Sequence, residues 1–208
     1  MSLPPDTIDA IAADVKACDH CALHRGRKNA VPGEGSGISG IYFIGEGPGF
    51  HENEQGRPFV GAAGQLLNEL LESIGLDRRV VWISNVVRCR PPENRDPLPE
   101  EVAACETFTK RQLEVLRPKV LVTLGRHAMG RFMPGESISR VHGQPRRHGE
   151  YIVFPMYHPA AALRQRSLRQ QLLDDFRKLS DFLERTPADP TPAPKREEPR
   201  PAPQPTLF

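Results

Sequence analysis

Short apolar runs alternate with amphipathic helical patterns along most of this chain of 208 residues. The runs fall at residues 41–44, 80–89, 120–124 and 151–157, and they are rich in β-branched and aromatic residues, as buried strands are. Strands separated by helices form βαβ units, whose crossovers place helices on both faces of a parallel sheet. We therefore expect an α/β fold of three layers (αβα) with a central, mostly parallel sheet of four strands.

Glycine and polar residues stand where these runs end. The first run is followed by the segment from Gly45 to Gly49, Asn85 lies near the end of the second, and Gly125 and His158 follow the third and fourth. In open parallel sheets, ligands bind beyond the C-terminal ends of the strands. The sequence therefore predicts one site at this edge.

The segment Gly-Glu-Gly-Pro-Gly, which ends at Gly49, is a loop of small residues whose backbone N–H groups a ligand can approach closely. Its spacing matches neither the dinucleotide fingerprint GxGxxG nor a phosphate-binding loop, which needs Gly-Lys-Ser/Thr. A βα turn without a ligand remains an alternative. The nearby Glu46, Glu52 and Phe59 favour a pocket for something planar and polar.

Charge and composition narrow the class of protein. The formal net charge of +2 is too small to predict a nucleic-acid partner by itself. No apolar run approaches the roughly 20 residues of a membrane span, and the first 20 residues lack a signal-peptide core. We expect a monomeric cytosolic protein without membrane association, in which four cysteines favour a metal site over disulfides.

Taken together, the motifs resemble those of the family 4 uracil-DNA glycosylases, the iron–sulfur type of bacteria and archaea. The resemblance covers about residues 18–184. It implies an enzyme that flips uracil out of DNA and hydrolyses its N-glycosidic bond, leaving an abasic site for base-excision repair. The motifs that carry it, in chain order, are Cys18-x-x-Cys21, the loop at 45–49, Gly-Arg-Pro-Phe-Val-Gly at 56–61, Asn85, Cys-Arg-Pro-Pro from Cys89, Cys105 and His158-Pro159.

The resemblance implies that Cys18, Cys21, Cys89 and Cys105 hold a [4Fe–4S] cluster. Its role would be structural rather than redox, because Cys89 lies only four residues beyond Asn85 and a cluster there would fix the recognition strand. Zinc on the same thiolates and four buried free cysteines remain alternatives.

The resemblance also implies roles for the residues around the base. Phe59 would stack on the flipped uracil, and Asn85 would pair with its N3–H and O4, because an amide offers an acceptor and a donor side by side. His158 would hydrogen-bond O2, where negative charge collects, with help from the backbone of Gly47 in the loop that starts at Gly45. The alternative roles are an ordinary core Phe, a turn-closing Asn and a strand-end His.

A carboxylate is needed to stabilise the sugar cation and orient the attacking water. Glu52 is the first candidate on the family pattern and Glu46 the second, although Glu46 has the alternative role of holding the loop.

No Lys lies in a motif, so we expect no Schiff-base strand cleavage. Residues 88–100 contain no His, so we expect turnover rather than the covalent trapping of DNA found in a related subgroup. His51 is an additional titratable group near the site.

The loop after His158 is expected to enter the DNA groove. Leu163 would fill the gap left by the flipped base, as apolar wedges do, and Arg164 and Arg166 would bind phosphates.

Two units are expected: a catalytic domain at 1–185 and a tail at 186–208. Eight of the 23 tail residues are Pro, which predicts an extended, mobile segment. Its end, from Gln204 to Phe208, resembles the peptide by which bacterial repair proteins bind the sliding clamp, and a flexible tether raises local concentration. This reading predicts a bacterial cytosolic protein associated with the nucleoid.

Two other functions remain open. One is a non-catalytic iron–sulfur DNA-binding module that recognises uracil or abasic sites, and the other is a metal-stapled α/β nucleotide-binding protein. The combination of Glu52, Asn85 and His158 favours the enzyme over the module. Local clusters of Arg, such as the one at residues 88–95, and the clamp-like peptide disfavour the nucleotide-binding protein.

Overall fold

A computed structural model describes residues 6–185 of the chain. Its centre is a five-stranded sheet in the order β2-β1-β3-β5-β4, in which only β4 is antiparallel to its neighbour. The mostly parallel αβα arrangement is confirmed, but the expectation of four strands is wrong for the described residues. The strands are β1 (Ile41–Gly45), β2 (Trp82–Asn85), β3 (Val120–Leu124), β4 (Arg146–His148) and β5 (Tyr151–Met156).

The additional strand β4 forms a hairpin with β5. Its three residues, Arg-Arg-His, are all exposed. A strand with no buried face has no apolar alternation, so its sequence looks like a basic loop.

Helices cover both faces of the sheet, because alternate residues of each strand point to opposite sides. In β1, Tyr42 and Ile44 pack towards α1, α4 and α5, whereas Ile41 and Phe43 pack towards α3, α7 and α8. The helices are α1 (Ile8–Ala17), α2 (Phe50–Gln55), α3 (Ala62–Glu72), α4 (Pro99–Leu116), α5 (Arg126–Phe132), α6 (Ile138–Val141), α7 (Pro159–Arg164) and α8 (Arg166–Arg185), with short 3-10 turns at Ala22–Arg25 and Pro92–Asn94.

Two local expectations need correction, and one further helix was not predicted. The second run, expected to be a strand over residues 80–89, forms a strand only from Trp82 to Asn85. The segment after the glycine loop folds into α2. The segment after His158, expected to be a loop, is α7, because Pro159 is tolerated at the first helical position and His158 caps the helix through its side chain.

The expected convergence at the C-terminal edge of the sheet is observed. Gly45 is paired with Asn85 in the register of β1 and β2, and the N–H of Gly125 donates to the carbonyl of Met156 at the end of β5. Within the described residues, none of the helices has the length and apolar character needed to cross a membrane. The peptide from Gln204 to Phe208 lies outside the described residues.

Candidate active site

A cavity of about 160 Å³ opens at the C-terminal edge of the sheet, and most of the residues expected to contact the base line it. It adjoins a larger cleft of about 610 Å³, and Gly47 and His158 line both. The smaller cavity is lined by Gly47, Gly49, Glu52, Phe59, Ala63, Asn85, His158 and Ala160.

Asn85 lines this cavity and has a buried polar atom without a partner. It is the last residue of β2 and only 2 % exposed, yet its Oδ1 has no hydrogen-bond partner in the described part of the protein. A Cβ on the neighbouring Gly45 would lie 2.5 Å from that oxygen and 2.6 Å from Cζ of Phe59. Any side chain at position 45 would therefore clash with the amide of Asn85 and the ring of Phe59, and glycine avoids this clash.

Phe59 is both a core residue and a wall of the cavity. Its ring is buried and stacks on the ring of His158, with centroids 5.5 Å apart and planes at 25°. Its backbone φ of 50° is unusual for a bulky residue, and such strain persists only where the surroundings impose it. Here Nη1 of Arg78 donates to the Phe59 carbonyl at 3.0 Å, and a Cβ on Gly64 would lie 1.8 Å from that oxygen.

His158 is held as a neutral imidazole. The backbone N–H of Ala160 donates to its Nδ1 at 3.1 Å, so Nδ1 carries no proton and the proton of the neutral ring is on Nε2. Burial lowers the pKa of His158 to about 4, although the negative charge of Glu52 acts in the opposite direction. At neutral pH the ring therefore offers one N–H donor.

Glu52 has its carboxylate occupied by the backbone. Its Oε1 accepts hydrogen bonds from the N–H groups of Val60 and Gly61 at 2.9 and 3.1 Å, and its Oε2 accepts one from Gly49 at 3.1 Å. These bonds tie the glycine loop to the segment that carries Phe59. A carboxylate has about four acceptor positions, and three are used here.

Glu46 lies in the larger cleft. Burial raises the pKa of its carboxyl group, an effect that the nearby His127 opposes. Nε2 of His127 lies 3.8 Å from Oε2 of Glu46 and 3.2 Å from Oδ2 of Asp96, and Arg126 contacts both His127 and Asp96. Neither His127 nor Asp96 was predicted from the sequence to lie in the site. The position of His127 just after Gly125, at the end of β3, was the available signal.

Comparison with known proteins identifies the family. A model of the uracil DNA glycosylase superfamily matches residues 32–183. A type-4 uracil-DNA glycosylase of Saccharolobus solfataricus is 46 % identical over 192 residues, which are 88 % of this chain and 89 % of that protein. One from Thermotoga maritima is 45 % identical, covering 86 % and 96 % of the two chains. The chain belongs to the type-4 uracil-DNA glycosylases. A type-5 uracil-DNA glycosylase of Thermus thermophilus is 37 % identical over 60 % of this chain.

Within this type-4 glycosylase, the four cysteines come from separate elements and are all free thiols. Cys18 follows α1, Cys21 precedes the first 3-10 turn, Cys89 follows β2, and Cys105 lies on α4. Burial raises the pKa of Cys89, and it raises that of Cys105 to about 11. Cys89 and Cys105 belong to one buried apolar cluster, and Cys18 and Cys21 pack against it.

The surface beside the cleft carries the residues expected to bind DNA. Leu163, at the C-terminal end of α7, is 47 % exposed, and Arg164 and Arg166 are also exposed. The exposed ring of Phe50, at the start of α2, contacts the ring of His51 edge-on and lies 5.4 Å from the guanidinium carbon of Arg90.

Proposed function

We propose that this protein removes uracil from DNA by hydrolysing the N-glycosidic bond of a flipped-out nucleotide, leaving an intact abasic strand. The observation that carries the proposal is the buried, unpartnered Oδ1 of Asn85, a residue that lines a cavity together with His158. Buried polar groups are normally hydrogen-bonded, so an orphan in a cavity indicates a missing ligand. The names of the type-4 relatives support uracil as that ligand.

Asn85 would select uracil over cytosine. Its Oδ1 would accept from N3–H of uracil, and its amide N–H would donate to O4. Cytosine presents an acceptor and an amino donor at those atoms, so both contacts would become repulsive. Phe59 would stack on the flipped base, a contact typically worth about 1–3 kcal/mol.

His158 would stabilise the leaving uracil anion. Its Nε2–H would donate to O2 as negative charge develops there, and the backbone of Gly47 would assist. The neutral state suits this role, because the ring donates a hydrogen bond without having to transfer its proton.

The contacts favour Glu46 over Glu52 as the carboxylate that orients water. Glu52 already accepts three backbone hydrogen bonds and holds two loops together. Glu46 lines the cleft beside His158, and its raised pKa brings it nearer to that of a general base. We therefore propose that Glu46 orients the water and that Glu52 is a positioning residue.

We propose a [4Fe–4S] cluster on Cys18, Cys21, Cys89 and Cys105. Iron–sulfur ligation requires four thiolates, and the four cysteines belong to one packed cluster. A tetrahedral zinc site takes the same four ligands, so analysis of the bound metal distinguishes the two. The cluster would fix the segment after Asn85.

The remaining contacts are proposed for DNA and for a partner protein. Leu163 would occupy the gap left by the flipped base, while Arg164 and Arg166 would bind phosphates.

The peptide from Gln204 to Phe208 would bind the sliding clamp, and residues 186–208 would tether the domain at 1–185 to it. This would place the protein in the bacterial cytosol near the nucleoid. Deleting that peptide should abolish clamp binding, and unchanged clamp affinity would contradict this part.

Base release tests the proposed activity directly. Purified protein is incubated with a labelled oligonucleotide carrying one uracil, and alkali then cleaves any abasic site. We expect cleavage after alkali only, and none for an oligonucleotide with cytosine in place of uracil. Binding to uracil-DNA without cleavage would favour the non-catalytic module, and cleavage without alkali would contradict a monofunctional enzyme.

A further inference from the structure

Arg88 is a fully buried cation without a counter-charge in the described structure. It is 1 % exposed and stands first by volume among the fully buried side chains. Its Nη2 donates to Oγ1 of Thr109 at 3.1 Å and to Oε1 of Gln112 at 2.9 Å. Its Nε and Nη1 have no partner among residues 6–185.

Both partners of Arg88 are neutral, and one is shared. Oε1 of Gln112 also accepts a hydrogen bond from the Tyr42 hydroxyl at 2.7 Å. A buried charge is tolerated only when it is paired, because leaving water costs several kcal/mol per ion. The folded protein therefore needs an anion next to Arg88.

The cysteines lie where that anion is needed. Cys89 is the next residue in the chain, and Cys105 lies on α4 one turn before Thr109, whose hydroxyl accepts a hydrogen bond from Arg88. Cys89 and Cys105 are both buried and belong to the same apolar cluster. A second cation is also present, because Nη1 of Arg27 donates to Sγ of Cys89 at 3.2 Å.

We infer that Arg88 and Arg27 are the counter-charges of a thiolate-bound metal centre on the four cysteines. Four thiolates bring four negative charges, and an oxidised cubane core or a zinc ion returns about two, so about two negative charges remain. Two guanidinium groups balance them. This inference rests on the proposed metal centre and is independent of the base-release chemistry.

The inference predicts that replacing Arg88 has opposite effects with and without the metal. In metal-free protein, Arg88→Met removes an unpaired buried charge, so the midpoint of thermal unfolding should rise. In metal-loaded protein it leaves the centre without its counter-charge, so the midpoint should fall and the metal should leave faster. Arg88→Lys keeps the charge and should resemble the wild type.

The experiment compares wild type, Arg88→Met, Arg88→Lys and Arg27→Met, each with and without metal. The readouts are the unfolding midpoint, the metal content and the rate of metal loss to a chelator. We expect at least about tenfold faster metal loss from Arg88→Met, and a smaller acceleration from Arg27→Met, whose cation is less buried. Arg111→Met is the matched control, because Arg111 pairs with Asp6 and Asp14 and its loss should destabilise both forms alike.

An Arg88→Met effect of the same sign in both forms, or unchanged metal loss, would overturn the inference. If metal-free protein or Arg88→Met does not fold, the rates of metal loss from Arg27→Met and Arg88→Lys decide it. Purified protein that holds no metal would overturn it together with the proposed centre. Base release by the wild type, measured separately, shows whether the proposed activity fails or stands.

Discussion

The cavity lined by Asn85 and the cysteine region lie at opposite ends of one short segment, residues 85–89, and each has a residue with buried polar atoms that lack partners in the described structure. In the cavity the unpartnered atom is the neutral Oδ1 of Asn85, whereas in the cysteine region unpartnered nitrogens belong to the charged Arg88. A buried neutral oxygen without a hydrogen bond destabilises the fold only modestly, so it can stay unpaired until a substrate binds. A buried charge without a partner destabilises it far more and needs a permanent partner. The difference indicates a transient ligand at one end and a resident one at the other.

The largest expected effect is from removing a cysteine. Cys89→Ala should abolish metal binding and lower the unfolding midpoint by roughly 10 °C or more, because metal binding and folding are coupled. Metal analysis and calorimetry measure both. A variant that lost its metal but kept the wild-type midpoint would show that the metal does not stabilise the fold. It would then contradict a resident ligand at the cysteine end of the segment.

A smaller effect on stability is expected at Glu52. Glu52→Ala leaves three partly buried backbone N–H groups without an acceptor, so the free energy of unfolding should fall by about 2–4 kcal/mol. Glu52→Gln keeps one acceptor oxygen and should lose about half of that. Urea denaturation measures the change.

The matched control is Glu54→Ala on the same helix, since the Glu54–Lys28 pair is at the surface and contributes less than about 1 kcal/mol. The rate of Glu52→Gln separates the two carboxylates. A loss within about tenfold fits a positioning role, whereas a loss above about a thousandfold would return Glu52 to the role of orienting water.

The smallest expected effect concerns the protonation of His158. An ordinary His gains a proton near pH 6.5, but the pKa of folded His158 is about 4, so its ring should stay neutral as the pH falls through 6.5. Unfolded chains do take up that proton, so this residue's contribution to stability is complete above pH 6.5 and is lost as the pH falls towards 4. Ring ¹⁵N shifts measured by NMR report the protonation state, and a midpoint near 6.5 would contradict a buried neutral imidazole.

Much of this arrangement follows from local sequence patterns, and the rest does not. The parallel sheet and its C-terminal edge are predictable, because the apolar strands alternate with helices and each ends in Gly, Asn or His. Strand β4 is not, since its exposed Arg-Arg-His leaves no apolar pattern. The three bonds to Glu52 and the burial of Arg88 depend on contacts between distant segments, so spacing alone could not reveal that one acts as an anchor and the other as a buried cation.

The central claim is that the unpaired amide of Asn85 serves substrate binding and not stability. Its most direct test is to measure the rate of uracil release and the free energy of unfolding on the same preparation of Asn85→Ala. We predict that kcat/KM falls at least about a hundredfold while the stability stays within about 0.5 kcal/mol of the wild type, because the orphaned oxygen makes no bond in the free protein. Thr123→Val, which removes another buried unpartnered oxygen outside the cavity, should leave the rate unchanged. A large loss of stability with the rate preserved would mean that Asn85 is a structural residue and would contradict the account.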